Sequence, residues 1–326
     1  MAPGNRNNPT RAASSESTYS LMEFKAEFPD DATCLDFLWH QNYAAADDRA
    51  HCPKCDTTRK FHRTASRPSY SCDTCGHHLH PTAGTIFHKS STSLDLWFYA
   101  VFMMSSTRCG ISAKQLEREL GVTYKTAWRM AHLIREQLMA QDDDTLSGSV
   151  EMDETYVGGK PRASEVAAQK AKGLNLRQAG QAAGRAKKTT VFGMVERGGR
   201  VAAHVVPLKL QDAVMGHVEG RVLDASIVYT DEAPLYTSLE AKGYQHRRIH
   251  HAEKVYVRGD VHTNTIEGFW SLVKRGIGGT HHAVSAKFLQ GYLNEYVWRY
   301  NHRKDERAMF LTLLESAARR VDLAGA

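Results

Sequence analysis

Three acidic side chains have the type and spacing to hold divalent metal. Asp153 lies inside the alternating run Ser149-Val-Glu-Met-Asp-Glu-Thr-Tyr-Val157. Asp231 closes a second run, Ala225-Ser-Ile-Val-Tyr-Thr-Asp231. Glu267 lies in His262-Thr-Asn-Thr-Ile-Glu-Gly-Phe-Trp-Ser-Leu-Val-Lys-Arg275, which reads as a helix. A lone Asp at a strand end is commonly a turn residue or a cap. A carboxylate ending a buried strand needs a partner, because an unpaired buried charge is costly. Three acids in this order, with Lys274 two helical turns after Glu267 on the same face, point to a metal-dependent nuclease. Phosphodiester chemistry needs an activated oxygen nucleophile, an in-line geometry and charge relief at the leaving oxygen. Two divalent ions on three carboxylates can supply all three. Mg2+ (or Mn2+) suits such a sparse set, because it keeps much of its water. Lys274 with Arg275 would hold a phosphate nearby. Glu151 shares a strand face with Asp153, Glu154 points to the opposite face, and Asp224 and Glu232 lie near the second acid. Each is a candidate minor ligand. His262 can orient a water or a phosphate, or serve as a plain surface residue.

The elements that must position these acids begin after a polar linker, Gln141–Gly148. Strand patterns cover 149–157, 189–196 and 200–206. A helical run at 210–220, a strand at 225–230 and a helix near 234–242 follow. A strand at 244–250 and helices at about 262–275 and 283–301 complete the order. Three strands followed by alternating helices and strands predict a mixed α/β sheet rather than a doubly wound parallel one. Residues 158–188 interrupt the pattern and are rich in Gly, Ala, Gln and basic side chains, Lys187 and Lys188 among them. They read either as a solvated loop or as a basic arm that orders on a phosphate backbone.

Upstream, Cys52-Pro-Lys-Cys55 and Cys72-Asp-Thr-Cys75 stand sixteen residues apart. Two such knuckles close a tetrahedral thiolate site, for which one structural zinc is the natural ion. His51, His77, His78 and His80 crowd the segment and read as surface residues, since four thiolates already satisfy zinc. Cys34 and Cys109 read as ordinary buried thiols. Residues 91–139 are a helical block of three helices. Within it Ile111–Ile134 fits a helix-turn-helix: Leu116, Leu120 and Val122 pack the angle, Gly121 makes the turn, and Thr123 caps the second helix. Tyr124, Lys125 and Arg129 then face outward toward phosphates or base edges. A plain helical hairpin is the alternative reading.

Zinc ribbon, helix-turn-helix and acidic triad, in that order, resemble the zinc-ribbon DDE transposases of bacterial insertion sequences, the IS fifteen-ninety-five (ISXO-two-like) family. The resemblance covers about residues 20 to 305. Its most specific stretches are Tyr70–Cys75 with Thr85–His88, Val150–Lys160, and His262–Gly276. It implies a ribonuclease-H-like catalytic core, with Asp153, Asp231 and Glu267 as the triad and Lys274 as the basic residue after it. Some relatives carry Asn as the third ligand, and Asn264, one turn before Glu267, is the alternative here. The resemblance further implies double-stranded DNA as partner, both element ends and target, cut and joined by the protein as a homo-oligomer on DNA. The rival function is a non-enzymatic DNA-binding regulator, which would account for residues 50–135 but not for the triad.

The remaining features bound this reading. At 326 residues the chain can form one large domain and one or two small ones. The expected division is a disordered tail at 1–16, a helical lead-in and ribbon at 17–90, and the helix-turn-helix at 91–140. The catalytic domain follows at 149–305, with a C-terminal helix or tail at 306–326. A formal charge of +6 is mildly favourable for a polyanion partner. No apolar run reaches membrane-spanning length and no secretory signal opens the sequence, so a cytoplasmic, nucleoid-associated protein is expected.

Overall fold

The computed structural model describes residues 19–44, 47–141, 144–206, 210–224, 226–231, 236–248 and 262–319. The expected tail at 1–16 and the candidate ligand Glu232 lie outside them. Among the described residues no helix is long and apolar enough to cross a membrane. The chain forms two compact units, residues 1–139 with 302–326, and residues 140–301.

In the first unit, α1 (Leu21–Glu27) starts at a reciprocal cap. The Ser20 hydroxyl accepts from the Glu23 amide, and the Glu23 carboxylate accepts from the Ser20 amide at 2.7 Å. Asp30 caps α2 (Asp31–Asn42) in the simpler way, accepting from the Thr33 amide at 2.8 Å. An antiparallel sheet follows, in the order β1 (Arg49–Cys52), β2 (Thr57–Arg63), β3 (Tyr70–Cys72), β4 (His78–Leu79). Then comes α3 (Leu94–Ser106), whose aromatic and aliphatic side chains are buried on most of its circumference. The helices α4 (Ala113–Leu120) and α5 (Tyr124–Leu133) are joined at Gly121, whose φ of +64° is the left-handed conformation that glycine adopts freely. The Thr123 hydroxyl accepts from the Thr126 amide and caps α5. Leu116 and Leu120 are buried in the angle between these helices. Cys34 is buried as expected, but Cys109 is exposed, because it falls in the polar turn after α3 rather than on a helix face.

The second unit is a five-stranded mixed sheet with helices on both faces. Its first strand, β5 (Ser149–Val157), leads into two helices, α6 (Ala163–Lys170) and α7 (Leu176–Lys187). The segment 158–188 is therefore a helical hairpin and not an irregular loop. Ala, Gln, Lys and Arg are good helix formers. Asn175 and Gln178 cap the second helix reciprocally, and Lys187 Nζ lies 3.2 Å from Glu165 across the pair. The chain continues through β6 (Thr189–Glu196), β7 (Val201–Val206), α8 (Leu210–Arg221), β8 (Ile227–Thr230) and β9 (Gln245–Arg248). The strand order is β7-β6-β5-β8-β9, antiparallel among the first three and parallel across β5, β8 and β9. Where a helix near 234–242 was expected, the described part ends in a 3-10 turn, Glu240–Lys242. The helices α9 (Asn264–Gly276) and α10 (Leu289–His302) follow.

Strand alternation splits the sheet's core in two. Val150, Met152, Phe192 and Met194 pack with Val214 and Val218 of α8. Val157, Val191 and Val195 pack with Ile266, Phe269, Trp270 and Val273 of α9 and with Leu293 of α10. The last helix, α11 (Met309–Ala318), belongs to the first unit. Its Phe310 meets Phe24 at 5.5 Å and Phe102 at 5.7 Å between ring centroids.

Candidate active site

Asp153 occupies the middle of β5, not its end, because β5 runs on past β8 to pair with β6. Glu151 is the register partner of Tyr229 on parallel β8. Continuing that register by two residues sets Asp153 level with Asp231, which directly follows the strand. Both Glu151 and Asp153 belong to the β5 face that α9 covers. Glu267 and Lys274 lie two turns apart on α9, and Glu267 accepts from the Thr263 hydroxyl at 3.3 Å. Asp153, Glu267, Trp270, Ser271, Lys274 and Arg275 line one open cleft of about 500 Å³. Asn264, exposed at the first turn of α9, is not among the residues lining this cleft.

The electrostatics agree with the geometry. Burial, then the like charges of Asp231 and Glu267, push the Asp153 carboxyl up to about 6. The indole N–H of Trp270 is buried without an acceptor of its own and lies close enough to Asp153 to favour its carboxylate weakly. On the opposite face Glu154 accepts from the Tyr236 hydroxyl, and burial with the charges of Asp231 and Asp153 pushes it up to about 7. Carboxyls raised by burial and then by acidic neighbours are ones that a cation would ionise, so this donor set fits a hard divalent metal. Asp153 and Glu267 line the cleft, and Asp231 is not among its lining residues. Among the described residues only the cysteine quartet gathers its ligand atoms within 4.8 Å of one another.

That quartet is the clearest metal centre. Cys52 and Cys75 Sγ are 3.6 Å apart, and Cys55 and Cys72 Sγ 4.0 Å. Four thiolates at the usual zinc–sulfur distance sit about 3.8 Å from one another in a tetrahedron. The two knuckles repeat one turn: Asp56 N donates to the Cys52 carbonyl at 2.9 Å, and Gly76 N to the Cys72 carbonyl at 3.0 Å. The His77 amide donates to Cys75 and lowers that thiol to about 7. Cys55, hydrogen-bonded to Cys75 and partly desolvated, is pushed up to about 12. The neighbouring histidines stay outside this cluster, and His78 Nδ1 is 3.1 Å from the Ser69 hydroxyl.

The segment from residue 145 to residue 301 matches the model of the ISXO2-like transposase domain. The chain is also 32% identical, over 275 residues, to an "Uncharacterized protein in transposable element ISH50" from Halobacterium salinarum. That match spans 82% of this chain and 91% of the relative. The chain belongs to the ISXO2-like transposase family. A shorter relative, an "Uncharacterized transposase-like protein" from Haemophilus influenzae, is 28% identical over 103 residues, 32% of this chain and 82% of the relative. The family domain contains the whole sheet, the three acids and the cleft.

The other residues singled out in the sequence fall on both units. Tyr124 and Lys125 at the start of α5 and Arg129 in its middle are exposed, and the Lys114 ammonium lies over the Tyr124 ring at 5.3 Å. Lys187 is engaged with Glu165, whereas Lys188 is exposed beside Lys160 and Gly184 in a cavity of about 550 Å³. Glu151 has its oxygens committed to protein donors, and exposed Asp224 stands outside the cleft. Sequence reasoning passed over Trp270 and Ser271. The spacing 267, 270, 271, 274 is itself the stripe that would have found them. It also passed over Gly193, the register partner of Asp153 on β6. A Cβ there would stand 2.6 Å from Trp270 Cη2, so only glycine lets the indole lie against the sheet. An isolated glycine in a strand pattern is the signal for such close approach.

Proposed function

We propose that this protein is a DNA transposase. In this reading it binds the inverted-repeat ends of an insertion sequence, hydrolyses a phosphodiester there to free a 3′-hydroxyl, and directs that hydroxyl onto target DNA. The observation that carries the reading is the parallel β5–β8 register, which, continued by two residues, brings Asp153 level with Asp231 just past the end of β8 and near Glu267 of α9, with Asp153 pushed up by burial and then by its acidic neighbours. The catalytic unit is read as ribonuclease-H-like on its mixed five-stranded order.

Asp153, Asp231 and Glu267 would hold Mg2+ or Mn2+, two ions per site. Such ions, when bound, activate an oxygen nucleophile and neutralise charge on the leaving oxygen. Lys274 and Arg275 contribute the cationic wall that grips a phosphate, and Trp270 contributes an apolar one. Thr263 steadies Glu267 through its hydroxyl. Cys52, Cys55, Cys72 and Cys75 would hold one structural zinc. Beside that ribbon, α4 and α5 serve as a helix-turn-helix with Tyr124, Lys125 and Arg129 toward DNA, and Lys188 adds a basic contact. The protein acts as an oligomer on two element ends.

End cleavage and strand transfer on a terminal-repeat substrate test the reading. Asp231→Asn and Glu267→Gln should each abolish both reactions while leaving DNA binding intact, and Asn264→Ala should leave them largely unchanged. Loss with Asn264→Ala and survival with Glu267→Gln would move the third ligand to Asn264. Survival of both acid variants would remove the enzyme.

A further inference from the structure

One charged side chain beside the cleft has no part in that chemistry. Glu151 is fully buried on β5. Its Oε1 accepts from Arg197 Nε at 2.8 Å and from the Thr265 hydroxyl at 3.0 Å. Its Oε2 accepts from the backbone amides of Thr265 at 2.8 Å and Ile266 at 3.0 Å. A β5 carboxylate thus serves as the N-terminal cap of α9, satisfying two of the amides that a helix start leaves open. Arg197, from the β6–β7 turn, also donates from Nη2 to the His262 carbonyl at 2.7 Å, and its guanidinium lies 4.1 Å from the centre of the Tyr229 ring.

These contacts share one register. Glu151, Tyr229 and Thr265 each stand two residues before an acid of the triad: Asp153, Asp231 and Glu267. Glu151 and Tyr229 are themselves partners across β5 and β8. The three acids come from three elements, and each element is gripped by buried Glu151 or half-buried Arg197 two residues before its acid. Two residues span only about 7 Å along a strand and about 3 Å along a helix, so little slack separates grip and acid.

We propose that Glu151 and Arg197 are positioning residues, a clamp that sets the spacing of Asp153, Asp231 and Glu267 and through it their affinity for divalent metal. The inference rests on the reading of those acids as metal ligands. A ligand role for Glu151 itself is unsuited to the geometry, because protein donors fill both oxygens. A purely structural ion pair is the competing account. It predicts lower stability and unchanged metal affinity in whatever protein folds.

The test measures Mn2+ binding to the zinc-loaded full chain by the electron paramagnetic resonance of free Mn2+, with circular dichroism to establish folding. Four proteins are compared: wild type, Asp231→Asn, Glu151→Gln and Arg197→Lys. In Glu151→Gln, either orientation of the introduced amide turns an NH2 group toward N–H or O–H donors. In Arg197→Lys, the lysine lacks the fork that joins Glu151 to His262. Folded Glu151→Gln and Arg197→Lys should bind Mn2+ roughly tenfold more weakly than wild type, the scale on which supporting residues act on a metal site. Absence of Mn2+ binding in wild type, or its survival in Asp231→Asn, would defeat the triad reading itself. If those two controls behave and both clamp variants fold and bind like wild type, the clamp is wrong even where they melt earlier. Should Glu151→Gln fail to fold, Arg197→Lys decides alone.

Discussion

Replacing Asp153 with Asn should make the magnesium-free protein more stable while abolishing catalysis. The folded state holds the Asp153 carboxyl at about 6, against an ordinary 3.8, through burial and then the charges of Asp231 and Glu267. Between those two pH values the folded protein keeps a proton that the unfolded chain has released. Stability is therefore lost as pH rises through that window, and it stays lost above it. At about 1.4 kcal/mol for each tenfold change, the difference is worth about 3 kcal/mol at neutral pH. For a unit of this size that is about 6–12 °C in melting temperature, taking 2–4 °C per kcal/mol. Asparagine keeps the shape and carries no charge to bury. Thermal unfolding with zinc retained and magnesium omitted should find the two proteins close at about pH 4 and the variant higher at about pH 8. Adding magnesium should raise the wild type and leave the variant unmoved. A variant that melts at or below wild type at the higher pH would refute the reasoning, because the carboxylate would then bear no penalty from burial and its neighbours.

Gly193→Ala should cost about 1–3 kcal/mol, since the indole of Trp270 is rigid and α9 must move off the sheet. Its end cleavage should slow while its zinc content and DNA binding hold, and an unchanged melting curve would contradict the close approach. Cys72→Ser should take bound zinc from about one per chain to none and weaken binding to element ends, as metal analysis and gel shift would report. Arg129→Ala should lower affinity for terminal-repeat DNA by about 1–3 kcal/mol if the side chain reaches a base edge. An equal loss on scrambled DNA would make it a phosphate contact.

Much of the sheet was legible because its strands carry a period-2 apolar pattern. The runs 149–157 and 189–196 are β5 and β6 to the residue. The cysteine spacing was as plain, since two knuckles have one simple way to close. The segment 158–188 misled because it has few apolar residues. Its helices are drawn by Ala, Gln, Lys and Arg and by the Asn175 cap, and periodicity is blind to these. The sequence places Asp153 inside a strand pattern but does not reveal that β5 outruns one neighbour and not the other. Glu151 looked like a spare ligand. Its commitment to Arg197 and the start of α9 depends on residues 46 and 114 positions away, a distance no local pattern spans.

The membership of α11 has a consequence for the timing of synthesis. A ribosome emits residues 140–301 before Met309–Ala318, yet that helix fills the aromatic core around Phe24 and Phe102. The proposed cutting unit can thus fold on a nascent chain while the unit proposed to recognise DNA still has an open core. On that proposal recognition matures last, and a growing chain has its scissors before its address. A chain ending at residue 301 should keep the five-stranded sheet but leave the apolar side of α3 uncovered, as strong binding of a hydrophobic dye would show.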